Sequence, residues 1–459
     1  MKCSRSQIIR PVHKVPEIRF EDQRLTSFSG LVIYQVLFGV LRFKVRLRRC
    51  FAHRQDSGAY RYDVIALLLV VHLIIGYRWL RDIAYYKDDP MVMRVLGLRQ
   101  LPDVSTVSRI LRTTDARSIW NVRGLCRQLV LDRLRQMRVG RVTLDFDGSV
   151  VSTHGRMIEG TAVGFNKNKK GMRSYYPLFC TVAQTGQVFD VHHRPGNVHD
   201  SNGAKEFILA CVRAIRGQLP HVQIEARMDS AFFSDEIVTL LDALGVEFTL
   251  SVPFERFAQL KQVIDARKRW RYLQPDWWYF ENGWKPKAWN SRYRFLFLRH
   301  RSKEIRKEPV QLDLFVPHEY GYAFKVIVTN RKIRAKKVLV YHNGRGAQES
   351  VFGELKSQGQ MDYLAVRRLC GNQLYMLCAI LAHNLNRDLQ MSTQSRQRGT
   401  TERRAPLWQF DELETTRRNL IQRAGRLTEP QGKLTLTMSA NAKVMHQLTY
   451  YLQNLEEAA

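Results

Sequence analysis

Between Arg141 and Pro253 the chain reads as three strands, a helix, a strand, a helix and a strand, and this order limits the fold more than any bulk property. VTLDFDGSVV, from Val142, alternates polar with β-branched and apolar residues, as a half-buried strand requires. YYPLFCTVA and QVFDVHHR follow as two more strands, joined by the turn QTGQ. SNGAKEFILACVRAIR then reads as a helix, VQIEARMD as a fourth strand, SDEIVTLLDALG as a helix closed by Gly245, and EFTLSVP as a fifth strand.

That order is the order of a ribonuclease H-like mixed sheet, so the expected class is α/β with helices on both faces of the sheet; a fold alone fixes no chemistry. The flanking texture differs. Residues 28–135 carry apolar residues at three- and four-residue spacing, in GLVIYQVLFGVLRF and DVIALLLVVHLIIGYRWLRDIAYY, and read as all-helical. Residues 1–27 read as a basic arm, residues 136–252 as the first part of the core and residues 253–340 as a β-rich insertion. RYRFLFLRH and YAFKVIVTN are its strands, and it holds Trp270, Trp277, Trp278, Trp284 and Trp289. Residues 341–391 return to helix and complete the core, and residues 392–459 form a C-terminal region with one edge strand, GKLTLTM, and a closing helix near Val444–Leu455.

Charge then narrows the partners. The 459 residues include 73 Lys and Arg against 42 Asp and Glu, a formal net charge of +31. Repulsion among so many like charges opposes compaction, and the basic residues run along the whole chain, which points to nucleic acid. No recognition-motif, KH or zinc-knuckle signature favours RNA. The seven cysteines form no CxxC pair and read as small buried hydrophobes of a reducing compartment. The longest apolar run, Val64–Ile75, is shorter than the roughly 20 residues of a membrane span. A cytoplasmic protein is expected.

Phosphodiester chemistry calls for acids at strand ends. Two divalent ions ~3.5–4 Å apart serve the attacking and leaving oxygens, and hard ions such as Mg²⁺ take carboxylate ligands. Asp147 stands in the first strand, and Asp145, two residues earlier, points to the same face. Asp229 ends the fourth strand; it equally suits a helix N-cap. Glu349 falls on a helix after the insertion, where Arg345, four residues before it, and Lys356, seven after it, share its face. An ion pair between Glu349 and Arg345 is the plain alternative there. Asp200 reads as structural, at a helix start.

At these residues the chain resembles bacterial insertion-sequence DDE transposases, most of all those of the insertion-sequence 1380 family. The resemblance runs through most of the chain: STVSR, DFDGSVV with GRMIEGTAVGFNKNKKGMRSYYPL after it, RPGN, RMDSAFF and the final core helix. It implies Asp147, Asp229 and Glu349 as the catalytic, metal-holding acids, with Asp145 as runner-up to Asp147, since an Asp, a small residue and then Ser or Thr is the family pattern and DGS fits Asp147. It also implies a signature of Tyr, two residues, Arg, three residues, Glu, six residues and Lys. Arg345, Glu349 and Lys356 match that spacing, but His342 stands at the Tyr position with Tyr341 one residue early. Phosphate contact is expected of Arg345 and Lys356, and of His342 or Tyr341 in the displaced aromatic role.

The implied activity is cleavage of the element's terminal inverted repeats and transfer of the 3′ hydroxyls to target DNA, with two Mg²⁺ ions for which Mn²⁺ substitutes. Double-stranded DNA is the partner, on a homodimer or larger assembly, in a bacterial, nucleoid-associated setting. Rival readings are a catalytically silent DNA-binding protein of the same fold and a nuclease without strand transfer. Further DNA contacts are expected from Lys167, Lys169, Lys170 and Arg173 in NKNKKGMR, and from Arg109 on a helix that Ser105 would cap. That helix fits the second helix of a helix-turn-helix and, equally, an ordinary amphipathic helix.

Overall fold

The computed structural model describes residues 17–457 other than 22, 56–57, 165–168, 199–201, 290, 302–321 and 400–405. Lys167 and Asp200 therefore lie outside the described residues. Six helices come first: α1 (Leu31–Val40), α2 (Phe43–Cys50), α3 (Tyr62–Ile75), α4 (Pro90–Leu96), α5 (Val104–Thr113) and α6 (Ala116–Met137). Every residue of α3 from Ile65 to Ile75 is buried. A helix apolar on all sides has to sit at the centre of its region, and α3 is the hub of the helical core. His72 belongs there too, neutral and bonded at 2.7 Å to the Tyr86 hydroxyl; burial pushes its pKa down to about 4.

The cap expected at Ser105 falls elsewhere. Asp103 is the residue before α5, in extended conformation, and Ser105 already lies inside the helix. Seven residues separate α4 from α5, against the three- or four-residue turn of a helix-turn-helix. The structure therefore favours the ordinary amphipathic helix.

The sheet begins with β1 (Arg141–Gly148), β2 (Leu178–Val182) and β3 (Gln187–His192). After α7 (Ala204–Gln218) come β4 (Gln223–Met228), α8 (Asp235–Ala243) and β5 (Glu247–Val252). Next are α9 (Ala258–Asp265), β6 (Arg271–Gln274), β7 (Trp277–Asn282), β8 (Arg294–Arg301) and β9 (Tyr322–Thr329). All nine strands join one mixed sheet in the order β6-β7-β8-β9-β5-β4-β1-β2-β3. Strands β1, β4 and β5 run parallel, and every other neighbour pair is antiparallel. The described strands of the Trp-rich segment thus extend the core sheet: β9 pairs with β5 from Thr329↔Thr249 to Val326↔Val252. The five tryptophans pack. Trp289 lies 4.7 Å from Phe233, Trp284 5.2 Å from Phe295, Trp270 4.7 Å from Phe280, Trp278 5.6 Å from Tyr322 and Trp277 4.6 Å from His300.

Three more helices close the core: α10 (Ala335–Asn343), α11 (Ala347–Ser357) and the 25-residue α12 (Leu369–Thr393). Helix α12 lies between the helical region and the sheet, buried almost throughout. Its Asn384 amide bonds both the N–H (2.9 Å) and the C=O (2.8 Å) of Val188. A side chain so acts as one more strand partner for the edge strand β3, a protected edge. At the far end Leu25–Thr26 pairs with Gly425–Thr428, which pairs with Thr435–Met438, and α13 (Ala442–Glu457) packs on α1 and α12. Among the described residues no helix is long and apolar enough to cross a membrane.

Candidate active site

The parallel pairing of β1 with β4 sets the site. Their register runs to Phe146↔Met228, so Asp147 and Asp229 occupy the next rung at the C-terminal ends of neighbouring strands. Parallel strands put both ends on one rim, where open α/β sheets present functional groups. Asp147 is partly exposed, with one oxygen accepting the Gly148 N–H at 2.8 Å and the other 3.2 Å from a guanidinium nitrogen of Arg345. Asp229 accepts the Ala231 N–H at 2.9 Å and caps the short turn Ser230–Phe232. The N-cap reading is thus realised, and the carboxylate remains only half-buried at the rim.

Asp145 has a different fate. Both its oxygens take guanidinium nitrogens of Arg227 at 2.6 Å, and both residues are buried. A carboxylate so matched is not available to a metal unless a buried ion pair breaks, so the runner-up role falls away in favour of a structural one. Arg227 also donates to the Tyr341 carbonyl at 3.1 Å. Gly344 passes directly over this guanidinium, and a Cβ there would run into it. The buried pair therefore fixes the height of the 344–346 turn, and the turn delivers Arg345 to Asp147. The expected Arg345–Glu349 ion pair does not form among the described residues; Arg345 pairs with Asp147 instead.

Glu349 sits exposed in the first turn of α11. Lys356, at the other end of α11, is half-buried; burial lowers its amine pKa, while Asp362 and Asp147 pull it back up. The displaced aromatic pair does not reach the rim. His342 is buried, bonded to Thr249 (3.0 Å) and Ser251 (2.8 Å), and its pKa is pushed well down by burial and by Lys325 and Arg345. Tyr341 is buried as well, its ring between the guanidinium groups of Arg331 (4.0 Å) and Arg227 (5.3 Å). Neither presents a polar atom to a phosphate, which corrects the role expected of both.

Arg173 is also committed, its guanidinium bonded to the hydroxyl (3.1 Å) and carbonyl of Thr161. Lys169, Lys170 and Arg109 are exposed. One cation escaped the sequence reading. Lys325 on β9 donates to Asn343 at 2.9 Å, and burial together with Arg345 lowers its pKa to about 8. Its signal was a lysine set among the apolar residues of YAFKVIVTN.

Asp147 and Asp229 suit a hard divalent ion in donor chemistry and in access to solvent. Among the described residues, however, no three acidic, His or Cys side chains are gathered closely enough to hold one.

A family model described as transposase DDE domain group 1 matches residues 12–459. The chain belongs to that family. No curated protein matches it. Among solved structures, the DDE-family chain is similar to piggyBac transposase in a synaptic complex with hairpin DNA, at 11% identity and a TM-score of 0.45, over 94% of this chain and 85% of that one. It also matches Mos1 transposase in a paired-end complex with the left transposon end, at 11% identity and a TM-score of 0.17, over 42% of this chain and 60% of that one.

Proposed function

We propose that this protein is a transposase of the insertion-sequence 1380 type, with a ribonuclease H-like core, that cleaves the ends of its element and joins the 3′ hydroxyls to target DNA. The observation that carries the reading is the rung shared by Asp147 and Asp229 at the ends of two parallel strands, with Arg345 against Asp147.

Asp147 and Asp229 would hold the divalent metal, Mg²⁺ or Mn²⁺, with Glu349 as the third ligand that the family resemblance implies. When bound, two such ions supply charge stabilisation to the attacking and leaving oxygens of an in-line displacement. The chain's own cations do the rest of the electrostatic work. Arg345 presents a planar fork and Lys356 a point charge at the rim, so a scissile phosphate meets two positive groups beside the two carboxylates. The buried Asp145–Arg227 pair acts through Gly344 to hold Arg345 in register. Terminal inverted repeats are the DNA bound, by a homodimer or larger assembly on paired ends.

The test is cleavage of a labelled duplex carrying the element end, in Mg²⁺ or Mn²⁺, by the wild-type chain beside Asp147→Asn, Asp229→Asn and Glu349→Gln. Each variant is expected to bind the duplex and to lose cleavage by at least about a hundredfold. Variants that cut as well as wild type would move the site elsewhere. One second reading is a silent DNA-binding protein of the same fold; binding by all four proteins with cleavage by none would select it. Cleavage without joined product would select a nuclease.

A further inference from the structure

A basic surface is assembled from three segments far apart in sequence. The chain leaving β1 turns at residues 154–161, and the chain leaving α11 returns along residues 358–368; these two meet through the Glu159 N–H bonded to the Arg367 carbonyl at 2.9 Å. The Tyr175 hydroxyl holds the same turn by bonding the Glu159 carbonyl. Helix α5 forms the third wall, kept close by the approach of Leu111 to Gly371, where a Cβ would strike the Leu111 backbone. Together they line a hollow of 390 Å³ that presents Arg112, Arg156 and Arg367.

All three arginines are exposed. The acid on this surface, Glu159, is already engaged: one carboxylate oxygen accepts the Leu369 N–H at 3.0 Å and lies 3.8 Å from Arg368. Met157, 76% exposed, lines the same hollow. Three cations that pair with no carboxylate among the described residues, beside one exposed apolar side chain, match duplex DNA, whose phosphates alternate with apolar sugar faces and a narrow minor groove. Both limbs start at the elements that carry Asp147 and Lys356, so a duplex seated here leads to the acidic rim.

We propose that Arg112, Arg156 and Arg367 grip the phosphates of duplex DNA flanking the scissile bond, with Met157 resting against the minor groove. The inference rests on the transposase reading, and its test needs no catalysis. Fluorescence anisotropy with a labelled element-end duplex in EDTA, repeated over a salt series, reads the number of phosphates neutralised. Arg112→Ala/Arg156→Ala/Arg367→Ala is expected to lower the slope of log Kobs against log salt by about 2 to 3, at about 0.9 for each phosphate lost. Met157→Ala should weaken binding with the slope unchanged. Arg48→Ala/Arg49→Ala, on helix α2 and outside the hollow, serves as the charge control, and circular dichroism checks that each variant is folded.

A folded triple variant with wild-type slope and affinity overturns the proposal, as does an equal loss from the control. If that variant binds and cuts like wild type, the surface is wrong and the catalytic reading stands. If the slope falls as expected while wild type itself never cuts, the surface stands and the catalytic reading falls. A wild-type chain that binds no duplex, and instead captures an acidic protein through these arginines, overturns both.

Discussion

The interior of the large sheet and its C-terminal rim carry the same residue types and use them differently. Inside, Asp145 is matched to Arg227, and Glu225 takes Arg141 at 2.6 Å, Arg331 at 3.1 Å and the Thr143 hydroxyl at 2.8 Å. At the rim, two residues beyond Asp145 and four beyond Glu225, Asp147 and Asp229 are bonded to backbone amides and still reach solvent. Depth, not residue identity, separates the two sets. A buried charge is tolerated only when a partner satisfies it, and a carboxylate held in a buried ion pair can take a substrate's cation only by breaking that pair. The rim acids are spared that demand by water, and so keep the capacity to bind.

The comparison breaks most visibly if Asp145 and Asp147 exchange roles. Asp145→Ala strands the Arg227 charge and is expected to cost about 3–5 kcal/mol in urea unfolding, whereas Asp147→Asn should change stability by no more than about 0.5 kcal/mol. Restoring much of the loss with Arg227→Met in the Asp145→Ala background would sharpen the point. An Asp145 variant of normal stability and no cleavage would place that residue in the site instead.

Acid tests a second interior pair. Glu354 is buried; burial raises its pKa, but His383, Arg387 and the Leu413 N–H outweigh this and bring it down to about 2. The folded pKa lies below the usual 4.5, so the stabilisation is fully present above pH 4.5 and is lost as pH falls toward 2. The loss should be on the order of 3 kcal/mol across that window and absent from Glu354→Gln, as followed by circular dichroism.

Gly344 links the two regions. Gly344→Ala should push the turn off Arg227, costing about 1–3 kcal/mol and lowering cleavage while duplex binding persists. Wild-type cleavage by a folded Gly344→Ala chain would uncouple Arg345 from the interior pair.

The smallest effect expected is at Lys325. Its amine is cationic below about pH 8 and neutral above it, so duplex binding should weaken about threefold to tenfold as pH rises through that value. Lys325→Arg should hold affinity constant to higher pH. An unchanged alkaline limb in that variant would separate Lys325 from the DNA.

Residues near in sequence settled much of this. The alternation of VTLDFDGSVV, the apolar run of α3 and the acids at strand ends are local patterns, and backbone periodicity reads them without reference to the rest of the chain. Turn and cap chemistry was less legible, as the displacement from Ser105 to Asp103 shows, because several neighbouring polar residues there suit the cap position equally well.

By itself, the sequence determined the strands and helices of the sheet region, the excess of positive charge, and which acids stand at strand ends. Only the tertiary structure decided that Arg227 claims Asp145, that Arg345 turns to Asp147 and away from Glu349, that His342 is sealed inside, that β9 continues the core sheet, and that Arg112, Arg156 and Arg367 share one hollow. The physical reason is range. Periodicity is set by the next few residues, whereas burial and ion pairing depend on strand register and packing between segments that the chain order leaves far apart.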